Sequence, residues 1–194
     1  VVYCTDRGTP LISDPGNVIV DEAINNGISV IALPGANALL PAINMSGLSN
    51  QRFLFYGFLN SKKSIARKEL IDLKNIKQTL IFYESPRRLV DTLNNMLDVF
   101  GDRNIAICRE ISKIHEEVIR GTITECLKEL QTIKGEIVIV VEGNKEVVDY
   151  SDLDIIEHVN LYIADGKSSM DAIKQVAKER KIPKSVVYKE YNKK

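Results

Sequence analysis

The amino-acid sequence predicts an α/β protein with a small helical extension at its C-terminal end, and three observations carry that prediction. Short apolar runs of strand type alternate with segments whose apolar residues recur at helical spacing. Loops rich in glycine, proline and small residues follow several of the strands, as in open sheets with crossover helices. After Gly143 the strand-type runs stop and only helical signals remain.

Taken in order, Val1-Val2-Tyr3 reads as a strand that runs into "CTDRGTPLISDPG", Cys4 to Gly16. Glycine and proline set turns there, and small residues let a ligand approach the backbone, so the segment reads as a binding edge or as two plain turns. Val18 to Asn26 puts Val20, Ala23 and Ile24 on one helical face and stops at Gly27. Ser29 to Leu33 predicts a short buried strand, broken by Pro34-Gly35 before "ANALLPAINMSG". Gly47-Leu48-Ser49-Asn50 reads as an interdomain linker. A second series follows: the strand "FLFYGF" from Phe53, a polar helix from Ser61 to Ile76, the strand "TLIFY", and a helix from Pro86 to Phe100 closed by Gly101. Strands at "NIAICRE", "EEVIRG" and "EIVIVVEG", with a helix from Thr124 to Thr132, complete it. In the tail, two capping pairs, Ser151 with Asp154 and Ser168 with Asp171, predict helix starts, and Pro183 suits the first turn of a third helix.

Composition bounds the function. The chain has 194 residues, 44% hydrophobic and 27% charged, enough to bury a core and too apolar for disorder. Its 26 basic and 26 acidic residues balance, so no global field draws it to nucleic acid or membrane and any attraction is local. Cys4, Cys108 and Cys126 are odd in number and far apart, which argues against a disulfide framework and for a reducing, cytoplasmic setting. No apolar run approaches the roughly 18 residues of a membrane span. The tail is asymmetric: Lys145 to Asp165 carries one Lys against six acids, and Gly166 to Lys194 carries nine Lys/Arg against three acids. Short helices with the later ones basic resemble a helix-turn-helix; a capping helical hairpin with a solvated face reads the same.

Four loops follow strands, "TDRGTPLISDPG", "LPGANALL", "FYESPRRL" and "CREISKIHEE", and in an open sheet such loops share one cleft. None contains a Walker loop or a G-x-G-x-x-G. The only histidines, His115 and His158, lie in different regions, so no metal site is expected, and no G-x-S-x-G elbow supports a serine triad.

The combination is more specific than its parts. "DRGTPLISDPG", "LPGANALLPAINMSGL", "RFLFYGFL", "TLIFYESPRRL", "CREISKIHEEVIRGT" and "KGEIVIVVEG", in this order, closely resemble the ribosomal RNA small subunit methyltransferase I family over roughly residues 1 to 143. The resemblance implies the tetrapyrrole methylase-like two-domain α/β fold, with its first domain truncated and a small helical C-terminal extension. Residues 1–49 would be the C-terminal part of the cofactor-binding domain, 50–146 the second α/β domain, and 147–194 the helix-turn-helix-like extension. It implies S-adenosyl-L-methionine as cofactor, 2'-O-ribose methylation of a cytidine in 16S ribosomal RNA, a small ribosomal subunit or its RNA as partner, a homodimer, and neither membrane nor metal. Two departures stand out: Arg7 where the family more often has alanine, and Asn37 where proline is usual. The family's opening half-domain with its Thr-Pro-Ile-Gly-Asn type loop has no match here, so the chain is expected to start partway through the cofactor domain.

By the same resemblance, Asp6, Gly8, Thr9 and Pro10, with Pro34, Gly35, Ala36 and Ala38, would hold the cofactor. Methyl transfer mainly requires alignment and exclusion of water, and a carboxylate near the acceptor can take the hydroxyl proton. Glu84 is the first candidate and Glu110 the second; both could instead hold arginines, since Glu84 lies near Arg87 and Arg88 and Glu110 follows Arg109. Lys62, Lys63, Arg67, Lys68, Arg87 and Arg88 are the candidate RNA contacts, against the plainer reading of a solvated helix face. Tyr83 and Phe55 could stack a base or simply fill the core. The competing functions are a small-molecule tetrapyrrole methyltransferase of precorrin type and a non-catalytic fragment that binds RNA or dimerises.

Overall fold

A five-stranded mixed sheet organises the first part of the chain, seen in a computed structural model that describes residues 1–6, 8–130, 134–145, 153–164 and 166–193. The strands are β1 (Phe53–Phe58), β2 (Thr79–Glu84), β3 (Asn104–Arg109), β4 (Glu117–Thr122) and β5 (Ile137–Val141), in the order β1-β2-β5-β3-β4. β1 and β2 pair in parallel, and every other neighbouring pair is antiparallel. Helices α1 (Asn17–Asn25) and α2 (Leu39–Ser46) precede the sheet, and α3 (Lys63–Leu73), α4 (Leu89–Phe100) and α5 (Ile123–Glu129) connect its strands.

The alternation of side chains along the strands divides the core into two layers. Ile137, Ile139 and Val141 join Leu80, Phe82, Ile105 and Ile107 beneath the buried faces of α3, α4 and α5. Val138 and Val140 join Ile81, Ala106 and Cys108 against Ala42 and Ile43 of α2. β5 is therefore buried on both faces, which is why it reads as an unbroken aliphatic run. In α4, Leu89, Leu93, Met96 and Phe100 recur at helical spacing and all are buried, with Gly101 capping the end. Thr122 and Glu125 form a reciprocal capping box that starts α5 directly where β4 ends.

Two expected strands do not form. Val1 to Tyr3 and Ser29 to Leu33 carry the right residues but, among the described residues, pair with no strand, and Val30, Ile31 and Leu33 are exposed. Apolar content marks a segment as able to be a strand; the ladder of backbone partners makes it one. α1 does form where its spacing predicts, yet none of its residues is buried. Gly47 caps α2 in the left-handed conformation, and the carbonyl of Ser49 accepts the Thr79 hydroxyl at 2.7 Å, tying the Gly47–Asn50 segment to the start of β2.

The described chain divides into two compact units, 1–145 and 146–194. The second holds α6 (Ile155–Ala164), α7 (Ser169–Glu179) and α8 (Lys184–Tyr191) around Val159, Ile173, Val176 and Val187. Ser168 caps α7 as expected. Ser151 lies outside the described residues, and α6 is instead opened by Asp154, whose carboxylate accepts from the Glu157 N–H at 2.7 Å while Glu157 accepts from the Asp154 N–H. Pro183 stands at the N-cap of α8, one position before the first helical turn. Among the described residues no helix is long and apolar enough to cross a membrane.

His158 is buried at the centre of this unit. Arg180 Nε donates to its Nδ1 at 3.1 Å, which leaves Nε2 to carry the proton toward Glu179 at 3.1 Å. Glu179 also accepts from Tyr162 and Gln175. Burial first, and the Arg180 charge second, hold the His158 pKa below its ordinary 6.5, against the pull of Glu179.

Two stability outcomes follow from these contacts. A methyl group at Gly143 would fall on the backbone carbonyl of Lys77, so Gly143→Ala is expected to lower unfolding stability in urea by about 1–3 kcal/mol. Because the folded pKa of His158 lies below the unfolded one, the unfolded chain takes up the proton first as pH falls through 6.5, and stability declines there. Thermal melts of the 194-residue chain should therefore drop between pH 7.5 and pH 5, with His158→Gln flattening that slope; a flat wild-type profile would contradict the assignment.

Candidate active site

A cleft of about 490 Å³ opens in the first unit at the edge where β1, β2 and β3 end and β5 begins. Its volume falls within the range of small-molecule sites, roughly 300–1,000 Å³. All four loops singled out in the sequence reach it: Asp6, Gly8, Thr9 and Ile12 to Asp14 from the first, Asn37 and Ala38 from the second, Glu84 to Pro86 from the third and Ile111 from the fourth. A fifth segment, Gly135 to Val138, also lines it. It arrives because β5 runs antiparallel, so that Ile137 is registered between Glu84 on one side and Arg109 on the other. The rule about strand ends in parallel sheets has no place for the start of an antiparallel strand.

The first two loops are tied together. Thr9 Oγ1 donates to the Ala36 carbonyl at 2.9 Å, and Gly35 lies against the same hydroxyl. The Asn37 side chain accepts the Leu40 N–H at 3.0 Å and so caps the entry to α2. Of the residues assigned to the cofactor, Asp6, Gly8, Thr9 and Ala38 line the cleft, whereas Pro10, Pro34, Gly35 and Ala36 do not, the last two supporting Thr9. Arg7 lies outside the described residues.

Glu84 lines the cleft and is otherwise buried, at 3% exposure. Its Oε1 accepts the Ser85 N–H at 2.7 Å and its Oε2 accepts the Thr92 hydroxyl at 2.7 Å. Arg88 Nε stands 3.4 Å from Oε1, and the same guanidinium donates to the carbonyls of Leu59 and Asn60 at 3.0 Å each. Arg88 thus turns inward and fixes the end of β1, whereas its neighbour Arg87 is exposed. Glu110 lies beneath the cleft's fifth segment: its carboxylate accepts the Glu136 N–H and the Lys113 ammonium, both at 2.8 Å, and packs against Gly135. The Lys113 bond first, and the Glu136 N–H next, hold the Glu110 pKa below the ordinary carboxylate range. Lys62, Lys63 and Lys68 are exposed on or beside α3, and Arg67 pairs with Asp98 at 3.3 Å on the surface.

Four carboxylates, those of Asp6, Asp14, Glu84 and Glu136, line the cleft, and no described lysine, arginine or histidine does. That balance favours a cationic ligand over a phosphate. Among the described residues no group of three histidine, cysteine or acidic side chains stands ready for a metal ion. Cys108 and Cys126 sit in the core, where burial pushes both thiols up to about 11, so neither is a nucleophile. Tyr83 and Phe58 form an aromatic wall of the cleft. Burial raises the Tyr83 pKa, opposed by the nearby backbone of Leu39 and Ala38 at the start of α2.

The family model for Tetrapyrrole (Corrin/Porphyrin) Methylases matches residues 1–127. The chain is 46% identical over 199 residues to the Ribosomal RNA small subunit methyltransferase I of Halalkalibacterium halodurans, covering 99% of this chain and 69% of that protein. The chain belongs to the ribosomal RNA small subunit methyltransferase I family. The Bacillus subtilis member is likewise 46% identical, over 99% of this chain and 68% of its own length. Family members therefore extend beyond this chain, which spans about two thirds of their length. Among solved structures, the methyltransferase CobJ superposes with a TM-score of 0.54 at 17% identity, over 70% of this chain and 62% of that one. Uroporphyrin III C-methyl transferase from Thermus thermophilus gives 0.51 at 16% identity, over 70% and 60%. These two likenesses establish the tetrapyrrole methylase fold, as the loop motifs imply, and nothing about substrate.

Thr9→Val removes the bond between the two loops while keeping the side chain's shape. Amide exchange at Gly35 to Ala38 is expected to quicken about two- to tenfold with global stability unchanged, and unchanged exchange would show that the loops are held by other means.

Proposed function

We propose that this chain carries most of an enzyme that transfers a methyl group from S-adenosyl-L-methionine to the 2'-hydroxyl of a cytidine in 16S ribosomal RNA. The observation that carries the reading is the separation of charge at the site: a cleft lined by four carboxylates and no described lysine, arginine or histidine, beside an exposed segment holding Lys62, Lys63 and Lys68. Carboxylates suit a cofactor that bears a sulfonium and an ammonium, and exposed lysines suit a phosphate backbone. The names of the two relatives, ribosomal RNA small subunit methyltransferase I, support small-subunit ribosomal RNA as the class of acceptor.

Bound S-adenosyl-L-methionine supplies an electrophilic methyl group. The residues of the chain do the rest. Asp6, Gly8, Thr9 and Ala38 hold the cofactor, with Pro10, Pro34, Gly35 and Ala36 shaping the two loops from behind. Glu84, oriented through both oxygens by Ser85 and Thr92, accepts the proton of the ribose hydroxyl. Glu110 positions the Gly135–Glu136 turn and takes no proton. Lys62, Lys63, Arg67, Lys68 and Arg87 meet RNA phosphates, and Arg88 contributes by bracing the loop that presents them. In this reading residues 1–49 are the cofactor part, 50–146 the second α/β domain and 147–194 a helical extension, and the protein works as a cytoplasmic homodimer. Methylation of a small tetrapyrrole would leave the basic segment without a role.

Transfer of labelled methyl from S-adenosyl-L-methionine to small-subunit RNA tests the reading. Glu84→Gln should lower turnover about 100-fold or more with the affinity for S-adenosylhomocysteine unchanged. Equal loss in both quantities, or no loss in either, would remove Glu84 from the chemistry.

A further inference from the structure

Phe58 is 52% exposed at the end of β1 and lines the cleft. A lone exposed aromatic is ordinary. What sets this one apart is the backbone device that places it. Phe55 and Phe58 are three residues apart, and in a regular strand their side chains would face opposite sides of the sheet. The β1–β2 register slips between Phe55 and Gly57: Phe55 pairs with Ile81, Gly57 with Phe82 and Phe58 with Tyr83, so that Tyr56 is the extra residue of a bulge. The bulge brings both phenylalanines to one ring. Phe55 meets Tyr83 at 4.9 Å between centroids and Phe58 meets it at 5.6 Å, each inclined by 65°.

The device is built from several sides. Gly57 takes a φ of +84°, which a side chain rarely adopts, and Ser13 of the first loop closes over it, with Oγ 3.0 Å from where a Cβ would stand. Tyr83 is itself half-buried, packed with Phe55, Ala38 and Leu39 against the second core layer. Beyond Phe58, the carbonyls of Leu59 and Asn60 are clamped by Arg88. Phe58 is held firmly at its base and left open on its cleft side.

We propose that Phe58, buttressed by Tyr83, is the platform on which the base of the acceptor nucleotide stacks. This rests on the RNA reading of the cleft given above. The acceptor base is favoured over the adenine of the cofactor because Phe58 is followed four and five residues later by Lys62 and Lys63, so that a strand whose phosphates meet those lysines brings its bases toward the ring. A Phe platform reads a flat face and no hydrogen-bond pattern, so it holds the nucleotide and leaves discrimination between bases to other groups.

The test compares two oligoribonucleotides that are abasic throughout except for one central cytidine in the first, with affinity read by fluorescence anisotropy. Wild type should favour the cytidine strand. Phe58→Leu should weaken that strand roughly five- to hundredfold, leave the abasic strand and S-adenosylhomocysteine unchanged, and be rescued by Phe58→Trp. Equal affinity of wild type and Phe58→Leu for the cytidine strand would overturn the platform alone. Weakened S-adenosylhomocysteine with unchanged RNA would assign the ring to the cofactor and overturn it as well. A wild-type chain that binds neither strand would overturn the RNA reading and the platform with it.

Discussion

β5 carries five consecutive buried aliphatic residues, Ile137 to Val141, and runs antiparallel between β2 and β3. The two core layers meet across it, and its first residue lies level with Glu84 and Arg109 at the cleft edge. That one placement fixes the floor of the site. The turn before the strand, held from below by Glu110 and Lys113, arrives beside the ends of β1 and β2 only because the strand direction is reversed there. Glu84, the last residue of β2, inherits its position from the same pairing and its orientation from Ser85 and Thr92.

Charge is then sorted around this frame. Four acidic groups face the cleft, and the basic groups of Lys62 to Lys68 lie outside it, on α3 or at its start. A balanced net charge therefore conceals two local clusters of opposite sign. Arg88 belongs to neither cluster. Its guanidinium is committed to Glu84 and to the carbonyls of Leu59 and Asn60, which couples the end of β1 to the carboxylate at the floor. The paired arginines of the sequence thus divide into one that braces and one, Arg87, that faces solvent.

Much of this is legible in the sequence where local pattern and tertiary partner agree. The run "EIVIVVEG", the spacing of Leu89, Leu93 and Met96, and the Ser168 cap all behave as their residues predict. Val1 to Tyr3 and Ser29 to Leu33 do not, because apolar residues alone supply no ladder partner. At α6, Asp154 caps with Glu157 because the helix starts one residue after it, a boundary that composition leaves undetermined. At the site, Glu84 and the first two loops are visible as motifs, whereas Glu110 and Arg88 are visible only as residues whose partners decide their work. Phe58 was missed because period-two reasoning puts it opposite Phe55. The one available signal was Gly57 inside a strand, which marks a bulge or a close approach.

The central claim is that the carboxylate-lined cleft between the first loop and the start of β5 binds the methyl donor. Calorimetric titration with S-adenosylhomocysteine tests it most directly, comparing the chain with Ala38→Trp, which fills the cleft beside Thr9. The account predicts saturable binding at one site, lost in Ala38→Trp with the helical and strand signals of circular dichroism intact. Binding that survives Ala38→Trp unchanged, or a folded chain that takes up no S-adenosylhomocysteine, would contradict it.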